Sequence, residues 1–224
     1  KSGNTWLRSL ISSYYFSEDG LFNQNSLPLI QQFPQKKYFK SFNYNSEIVT
    51  DTAKFWISAQ KIINKDKKIK FFKTHSVLGN YKGNYFTSPE TTLGAIYIVR
   101  DPRNVISSLK NHYSYNNDQA LEMIMDKKRS LMSNNGSHAS LTFISSWAEN
   151  YLSWVRNNQF RRLFVKYEDL MINKYETFRD IIVFTNTLMN KTEGVNKSKL
   201  QKAIETTNFD VFKQKEINEN LDKT

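Results

Sequence analysis

Apolar positions along this chain switch between two periods. Trp6, Leu7, Leu10, Ile11 and Tyr14 recur at helical spacing and predict a helix that starts directly after Lys1-Ser2-Gly3-Asn4-Thr5. Residues 69–72 form a short apolar run suited to a buried strand, ending at Lys73-Thr74-His75. Residues 95–99 (AIYIV) give the clearest strand, bounded by Gly94 and by Arg100-Asp101-Pro102, and Val105, Ile106, Leu109 and Tyr113 then resume helical spacing. Ile144, Trp147, Ala148, Tyr151, Leu152 and Val155 predict an amphipathic helix. Residues 163–165 read as another strand, and Tyr175, Phe178, Ile182, Thr185 and Met189 as a further helix. Residues 133–137 (SNNGS) and 191–199 read as polar connections, and the apolar pattern fades after Lys213, which predicts a frayed end or part of a loop that orders on binding.

Strands alternating with helices predict an α/β fold: a single domain over residues 1–224 with a mainly parallel central sheet flanked by helices. In such sheets ligands bind beyond the carboxyl ends of the strands. Polar clusters follow three of the predicted strands there, at Lys73-Thr74-His75, at Arg100, and at Lys166-Tyr167-Glu168-Asp169.

Composition narrows the function classes. The chain has no cysteine, which excludes disulfide scaffolding and thiolate metal sites and permits a reducing compartment. Three histidines without paired spacing give no zinc motif. No apolar run is long enough to span a bilayer. A net charge of +11 favours anionic partners, although the basic run 65–70 (KDKKIK) reads as solvated surface.

Three segments carry chemistry. Residues 1–6 (KSGNTW) are a small-residue loop opening into a helix, where backbone N–H groups, the helix dipole, Ser2, Asn4, Thr5 and Lys1 all favour an anion. The order differs from a Walker A loop, because the lysine precedes the glycine, and on the loop alone an ordinary helix start explains the pattern equally well. Arg100 at the end of the best strand and Ser108 two turns into the next helix suit a phosphate, with a local ion pair to Asp101 or Asp169 as the bland alternative. Lys73 and His75 fall on the same side of an extended segment, an arrangement in which the histidine takes a proton and the lysine stabilises a leaving oxygen.

Together these segments resemble the PAPS-dependent sulfotransferases, which transfer the sulfonate of 3′-phosphoadenosine 5′-phosphosulfate (PAPS). Residues 1–6 resemble the family's 5′-phosphosulfate loop, usually PKSGTTW, with Asn4 in place of the commoner threonine. Residues 99–105 (VRDPRNV) through Ser108 resemble its 3′-phosphate motif. Residues 72–75 (FKTH) resemble the KTH segment of the cytosolic branch, 167–170 (YEDL) its YED segment, and 207–213 (TNFDVFK) its TSFE-x-MK segment. The matches come in family order from Lys1 to Lys213.

The resemblance implies a P-loop-like phosphate cradle in which Lys1, Ser2, Gly3, Asn4 and Thr5 hold the 5′-phosphosulfate, with Trp6 against the adenine. It implies that Arg100 and Ser108 hold the 3′-phosphate, that Tyr167, Thr207 and Phe209 help bind adenine, that His75 is the general base, and that Lys73 and Lys1 stabilise the transferring group. The co-substrate is then PAPS with no metal, so that turnover is expected to be indifferent to EDTA. The acceptor is a small molecule with a hydroxyl or amine, an apolar alcohol or a sugar, and no nucleic acid or transmembrane segment is expected. Aromatics between Tyr14 and Tyr44 are candidates to line an acceptor pocket, against ordinary packing for each. The expected location is cytoplasmic. The family's strand before the first motif and its late Arg-Lys-Gly loop are expected outside residues 1–224, and the dimer motif of animal cytosolic members is not visible, which leaves the oligomeric state open. Two rival classes stand beside this reading: a P-loop phosphotransferase, which lacks support from Walker A order, and a nucleic-acid-binding protein, which lacks a recognised motif.

Overall fold

The computed structural model describes residues 3–45, 48–131 and 140–207. Lys1, Ser2, the 133–137 connection, Phe209 and the end after Lys213 lie outside the described residues. The architecture is mixed α/β, with helices and small sheets, and the chain divides into two compact units. One unit is Gln32–Arg162, and the other joins the chain up to Gln31 with the chain from Leu163 onward.

The described elements run in the order α1 (Asn4–Phe16), β1 (Gln31–Gln32), α2 (Trp56–Ile63), β2 (Phe72–Lys73), β3 (Asn80–Tyr81), β4 (Asn84–Tyr85), β5 (Gly94–Val99), α3 (Pro102–Tyr113), α4 (Asn117–Met125), β6 (Ser130–Leu131), β7 (Thr142–Phe143), α5 (Trp147–Arg156), β8 (Arg161–Lys166), α6 (Tyr167–Ile172), α7 (Lys174–Leu188) and α8 (Lys197–Thr206), with short 3-10 turns between some of them.

In the Gln32–Arg162 unit an aromatic core forms around Phe33, Phe39, Trp56, Phe86 and Trp154, with Ala53, Ala59, Leu78 and Leu141 filling between them. Trp56 and Phe39 are fully buried, and rings of this size supply much of the apolar area removed from water. A second cluster, Val105, Leu109, Ala120 and Ile124, holds α3 against α4. Two antiparallel ribbons flank these cores. In β3–β4, Asn80 pairs with Tyr85 and Tyr81 with Asn84. The two-residue turn between them has positive φ at Lys82 (49°) and Gly83 (86°), the twist that closes a tight hairpin. In β6–β7, Ser130 pairs with Phe143 and Leu131 with Thr142.

Helix starts follow cap chemistry. Asp101 accepts from Arg103 N at 2.8 Å with Pro102 at the first helical position, Asn116 and Gln119 form a capping box, and Ser146 accepts from Glu149 N at 3.3 Å. The Ser146 cap puts Ile144 outside α5, so the helix presents Trp154 and Asn150 inward while Ala148 and Val155 are exposed. Of the predicted face, Trp147, Tyr151 and Leu152 are half-buried, whereas Ala148 and Val155 are exposed.

In the other unit, α1, α7 and α8 pack together around Leu10, Phe178, Ile181, Ile182, Leu200 and Ala203, and α6 packs on α7. Tyr14 meets Phe178 edge-on at 6.2 Å, and its hydroxyl accepts from Asn196 N at 3.0 Å where α8 is capped. The predicted polar connection at 191–199 thus gives way to a helix from Lys197, started by the Asn196 side chain accepting from Lys199 N.

Candidate active site

The start of α1 is open. Gly3 occupies the cap position with φ 80° and ψ 18°, a left-handed conformation that glycine adopts without the Cβ penalty. No side chain caps the helix, no acidic residue stands in its first turn, and the first backbone bond runs from Leu7 N to Gly3 O at 3.0 Å. A 13-residue helix thereby presents its first-turn amides and positive dipole end with no side-chain cap and no acidic residue in its own first turn among the described residues.

Beside this end two buried polar atoms, Asn4 Oδ1 and Trp6 Nε1, have no hydrogen-bond partner among the described residues. Trp6 is buried, meets Tyr167 edge-on at 6.1 Å, and has Lys174 Nζ 5.3 Å from its ring centre. The structure thus brings Trp6 and Tyr167 together. Thr207 ends α8 fully buried, and its hydroxyl donates to Ala203 O at 2.6 Å.

In the Gln32–Arg162 unit the segment around Lys73 and His75 is pinned along its backbone. Phe33 N donates to Lys73 O at 2.9 Å, Asn150 Nδ2 to His75 O at 3.2 Å, Trp154 Nε1 to Ser76 O at 3.1 Å, and Val77 N to Phe143 O at 2.8 Å. Leu78 N donates to Ser153 Oγ at 3.0 Å. Asn150 is itself fixed, because Nδ2 also donates to Ile144 O at 2.8 Å and Oδ1 accepts from Tyr97 Oη at 3.0 Å. Burial pushes the Tyr97 phenol well above its ordinary range, which keeps it a donor to Asn150. Strand pairing ends at Lys73, and Thr74 Oγ1 accepts from Ser76 N at 3.1 Å. Lys73 and His75 are both half-buried.

Arg100 is the first residue after β5, and Ser108 lies in the second turn of α3, half-buried. Asp101, between the strand and the helix, accepts from Arg103 Nε at 3.0 Å and pairs with Arg103 Nη2 at 2.5 Å. The Arg103 side chain holds its carboxyl below the usual range.

Asn150, Tyr97, Ser153 and Trp154 were not singled out by sequence. Asn150 and Ser153 are polar residues on a helix whose apolar pattern pointed elsewhere, and Tyr97 sat inside a hydrophobic strand. The aromatics between residues 14 and 44 divide: Phe33 and Phe39 are buried core, with Tyr38, Phe42 and Tyr44 packed against it, whereas Tyr14 and Tyr15 belong to the other unit.

The chain matches the family model described as sulfotransferase domain over residues 1–224, its whole length, and it belongs to that family. Its class of activity is sulfonate transfer to a small-molecule acceptor. No curated protein matches the chain. Among the described residues no helix is long and apolar enough to cross a membrane, and no group of acidic or histidine side chains has the makings of a metal site.

Proposed function

We propose that this chain transfers the sulfonate of PAPS to a hydroxyl or amine of a small acceptor, an apolar alcohol or a sugar, in a reducing compartment such as the cytoplasm. The observation that carries the reading is the left-handed, uncapped start of α1 at Gly3, which leaves first-turn amides for an anion within a sequence that resembles the family's phosphosulfate loop. The orphaned Asn4 Oδ1 and Trp6 Nε1 fit the same reading, since a bound nucleotide offers partners to both. On this reading Lys1, Ser2, Gly3, Asn4 and Thr5 form a P-loop-like cradle for the 5′-phosphosulfate beyond a mainly parallel sheet in a single domain. Arg100 and Ser108 take the 3′-phosphate, and Trp6, Tyr167, Thr207 and Phe209 surround the adenine.

The reaction is an in-line displacement at sulfur. His75 accepts the proton of the acceptor hydroxyl, the acceptor oxygen forms the new S–O bond, and the bond from sulfur to the phosphate oxygen breaks. The electron pair leaves with 3′-phosphoadenosine 5′-phosphate. Lys73 and Lys1 stabilise charge on the bridging oxygen and on the sulfonate as that bond opens. Positioning supplies much of the acceleration in such transfers, and the backbone anchors on His75 and Ser76 serve it by fixing where the base stands.

Calorimetric titration with 3′-phosphoadenosine 5′-phosphate, with AMP as the comparison and Arg100→Ala beside the wild type, tests the nucleotide assignment. The expected result is binding that needs the 3′-phosphate and weakens by roughly 10- to 100-fold in the variant, the scale of charged hydrogen bonds. Equal and weak binding of both nucleotides would sink the reading.

A further inference from the structure

The end of α2, the basic turn after it and the loop before β5 take no part in the chemistry above, and hydrogen bonds hold the three segments together. Gln60 Nε2 donates to Phe86 O at 2.6 Å, and Gln60 Oε1 accepts from Thr87 Oγ1 at 2.6 Å and from Thr91 Oγ1 at 2.9 Å. Asn64 Nδ2 donates to Thr91 O at 2.8 Å, and Lys61 Nζ pairs with Glu90 at 3.1 Å. The turn is closed by Lys67 N donating to Asn64 O at 2.9 Å, with Lys67 left-handed at φ 56°. Lys70 then ties the chain back to α2, its Nζ donating to Ile63 O at 2.8 Å.

This scaffold leaves three large aliphatic side chains in water: Ile62 is 54% exposed, Ile69 49% and Leu93 58%. A single exposed aliphatic is ordinary. Here Ile62 lies between the Lys61–Glu90 pair and the Asn64–Thr91 bond, Ile69 precedes the lysine that returns to α2, and Leu93 follows the stapled loop. Lys61, Lys65, Lys67, Lys68 and Lys70 are exposed on the same segments. The acids of these segments are spent locally, Asp66 on Lys70 and Glu90 on Lys61. Lys65, Lys67 and Lys68 have no ion pair among the described residues, so the positive charge of the turn faces solvent uncompensated.

We propose that this surface docks on an anionic lipid bilayer, with Ile62, Ile69 and Leu93 entering the headgroup region and Lys65, Lys67 and Lys68 meeting the lipid anions. Aliphatic side chains mixed with lysine suit such an interface, because the apolar part gains by leaving water and the ammonium groups gain by meeting anionic headgroups. Nucleic-acid sites add arginine forks or stacking rings to their lysines, and residues 61–70 and 88–93 contain neither. Protein interfaces deplete lysine at their centres, whereas here lysines alternate with the exposed isoleucines along the chain. The docking needs no nucleotide and is independent of the sulfonate-transfer reading.

The test is co-sedimentation of the full chain with vesicles of phosphatidylcholine alone and of phosphatidylcholine mixed with phosphatidylserine, at low and at high salt. Wild type is expected to bind the mixed vesicles roughly 10-fold more tightly, with the preference fading at high salt. Lys65→Gln combined with Lys68→Gln is expected to lose about 10-fold in affinity for the mixed vesicles. Ile69→Asn combined with Leu93→Asn is expected to weaken binding at both salt concentrations, with the melting curve of wild type. Equal binding of wild type to the two kinds of vesicle, an unchanged preference in the glutamine variant, or an unchanged affinity in the asparagine variant would overturn the proposal. So would tighter binding of duplex DNA than of the mixed vesicles through the same lysines.

Discussion

Replacing Asn150 by alanine tests whether the histidine segment is held as described. The amide serves three groups: it donates to His75 O at 3.2 Å and to Ile144 O at 2.8 Å, and it accepts from Tyr97 Oη at 3.0 Å. A buried polar group left without its partner costs about 1–3 kcal/mol, less where water reaches it. Asn150 is half-buried, so the three groups together give about 2–4 kcal/mol, which for a chain of this size lowers Tm by roughly 4–16 °C. Asn150→Asp keeps an acceptor for Tyr97 but turns a carboxylate toward two carbonyl oxygens, and it is expected to melt below Asn150→Ala. Tyr97→Phe alone is expected to cost about 1 kcal/mol, and close to nothing in the Asn150→Ala background, where its hydroxyl has already lost its partner. Calorimetric melting of wild type and the four variants, the double one included, measures stability, and turnover measures the consequence for His75: kcat is expected to fall while affinity for 3′-phosphoadenosine 5′-phosphate holds. A melting point for Asn150→Ala within about 1 °C of wild type, an Asp variant more stable than the Ala variant, or a strictly additive cycle would refute the reasoning.

Two further outcomes follow from the backbone and from the buried phenols. Gly20→Ala is expected to cost about 2–5 kcal/mol, because φ is +93° and an added Cβ would stand 2.4 Å from the backbone oxygen of Lys199. Gly83→Ala, with φ +86° and open space around it, is expected to cost only the conformational part, about 1–2 kcal/mol, and equal urea midpoints for the two variants would remove the steric argument. Burial raises the phenols of Tyr15, Tyr38 and Tyr97, with Tyr38 pushed up to about 12. A folded pKa above the unfolded one means that the unfolded chain releases its protons first. Stability is then level below the ordinary tyrosine pKa of 10.0 and falls as pH rises from there through about 12. Absorbance titration at alkaline pH checks this, since native protein should ionise fewer phenols at the ordinary tyrosine pKa than urea-unfolded protein does, and identical titrations would contradict it.

The elements were legible in the sequence where one rule governed them. β5 is a continuous apolar run closed by Asp101-Pro102, and residues 94–99 form it. α7 carries its apolar positions at helical spacing, and residues 174–188 form it. The start of α8 was read as part of a connection over 191–199, because that stretch is dominated by polar residues. Only Leu200 and Ala203 commit it to the core, and the Asn196 cap sets its start. The β3–β4 hairpin was missed for another reason. Its strands are two residues each and mostly polar, so the signal lies in the backbone of Lys82-Gly83 and not in any alternation.

For the candidate site, sequence motifs single out residues by type and spacing and pass over the residues that anchor the backbone around them. His75, Lys73, Arg100 and the Gly3 start stand in ordered motifs, and a motif is legible because function demands particular residue types at fixed spacing. The residues that position His75 answer to a different demand, which is to satisfy carbonyls in a segment with almost no strand pairing of its own. Any side chain with a donor at the right height on α5 meets it, and here Asn150 supplies the amide and Trp154 the indole N–H. Such residues disturb the apolar stripe of their helix, so periodicity treats them as noise. Polar groups that share a helix face or a turn with structural constraints are where a sequence reading of this fold loses information, and they are where the structure adds most.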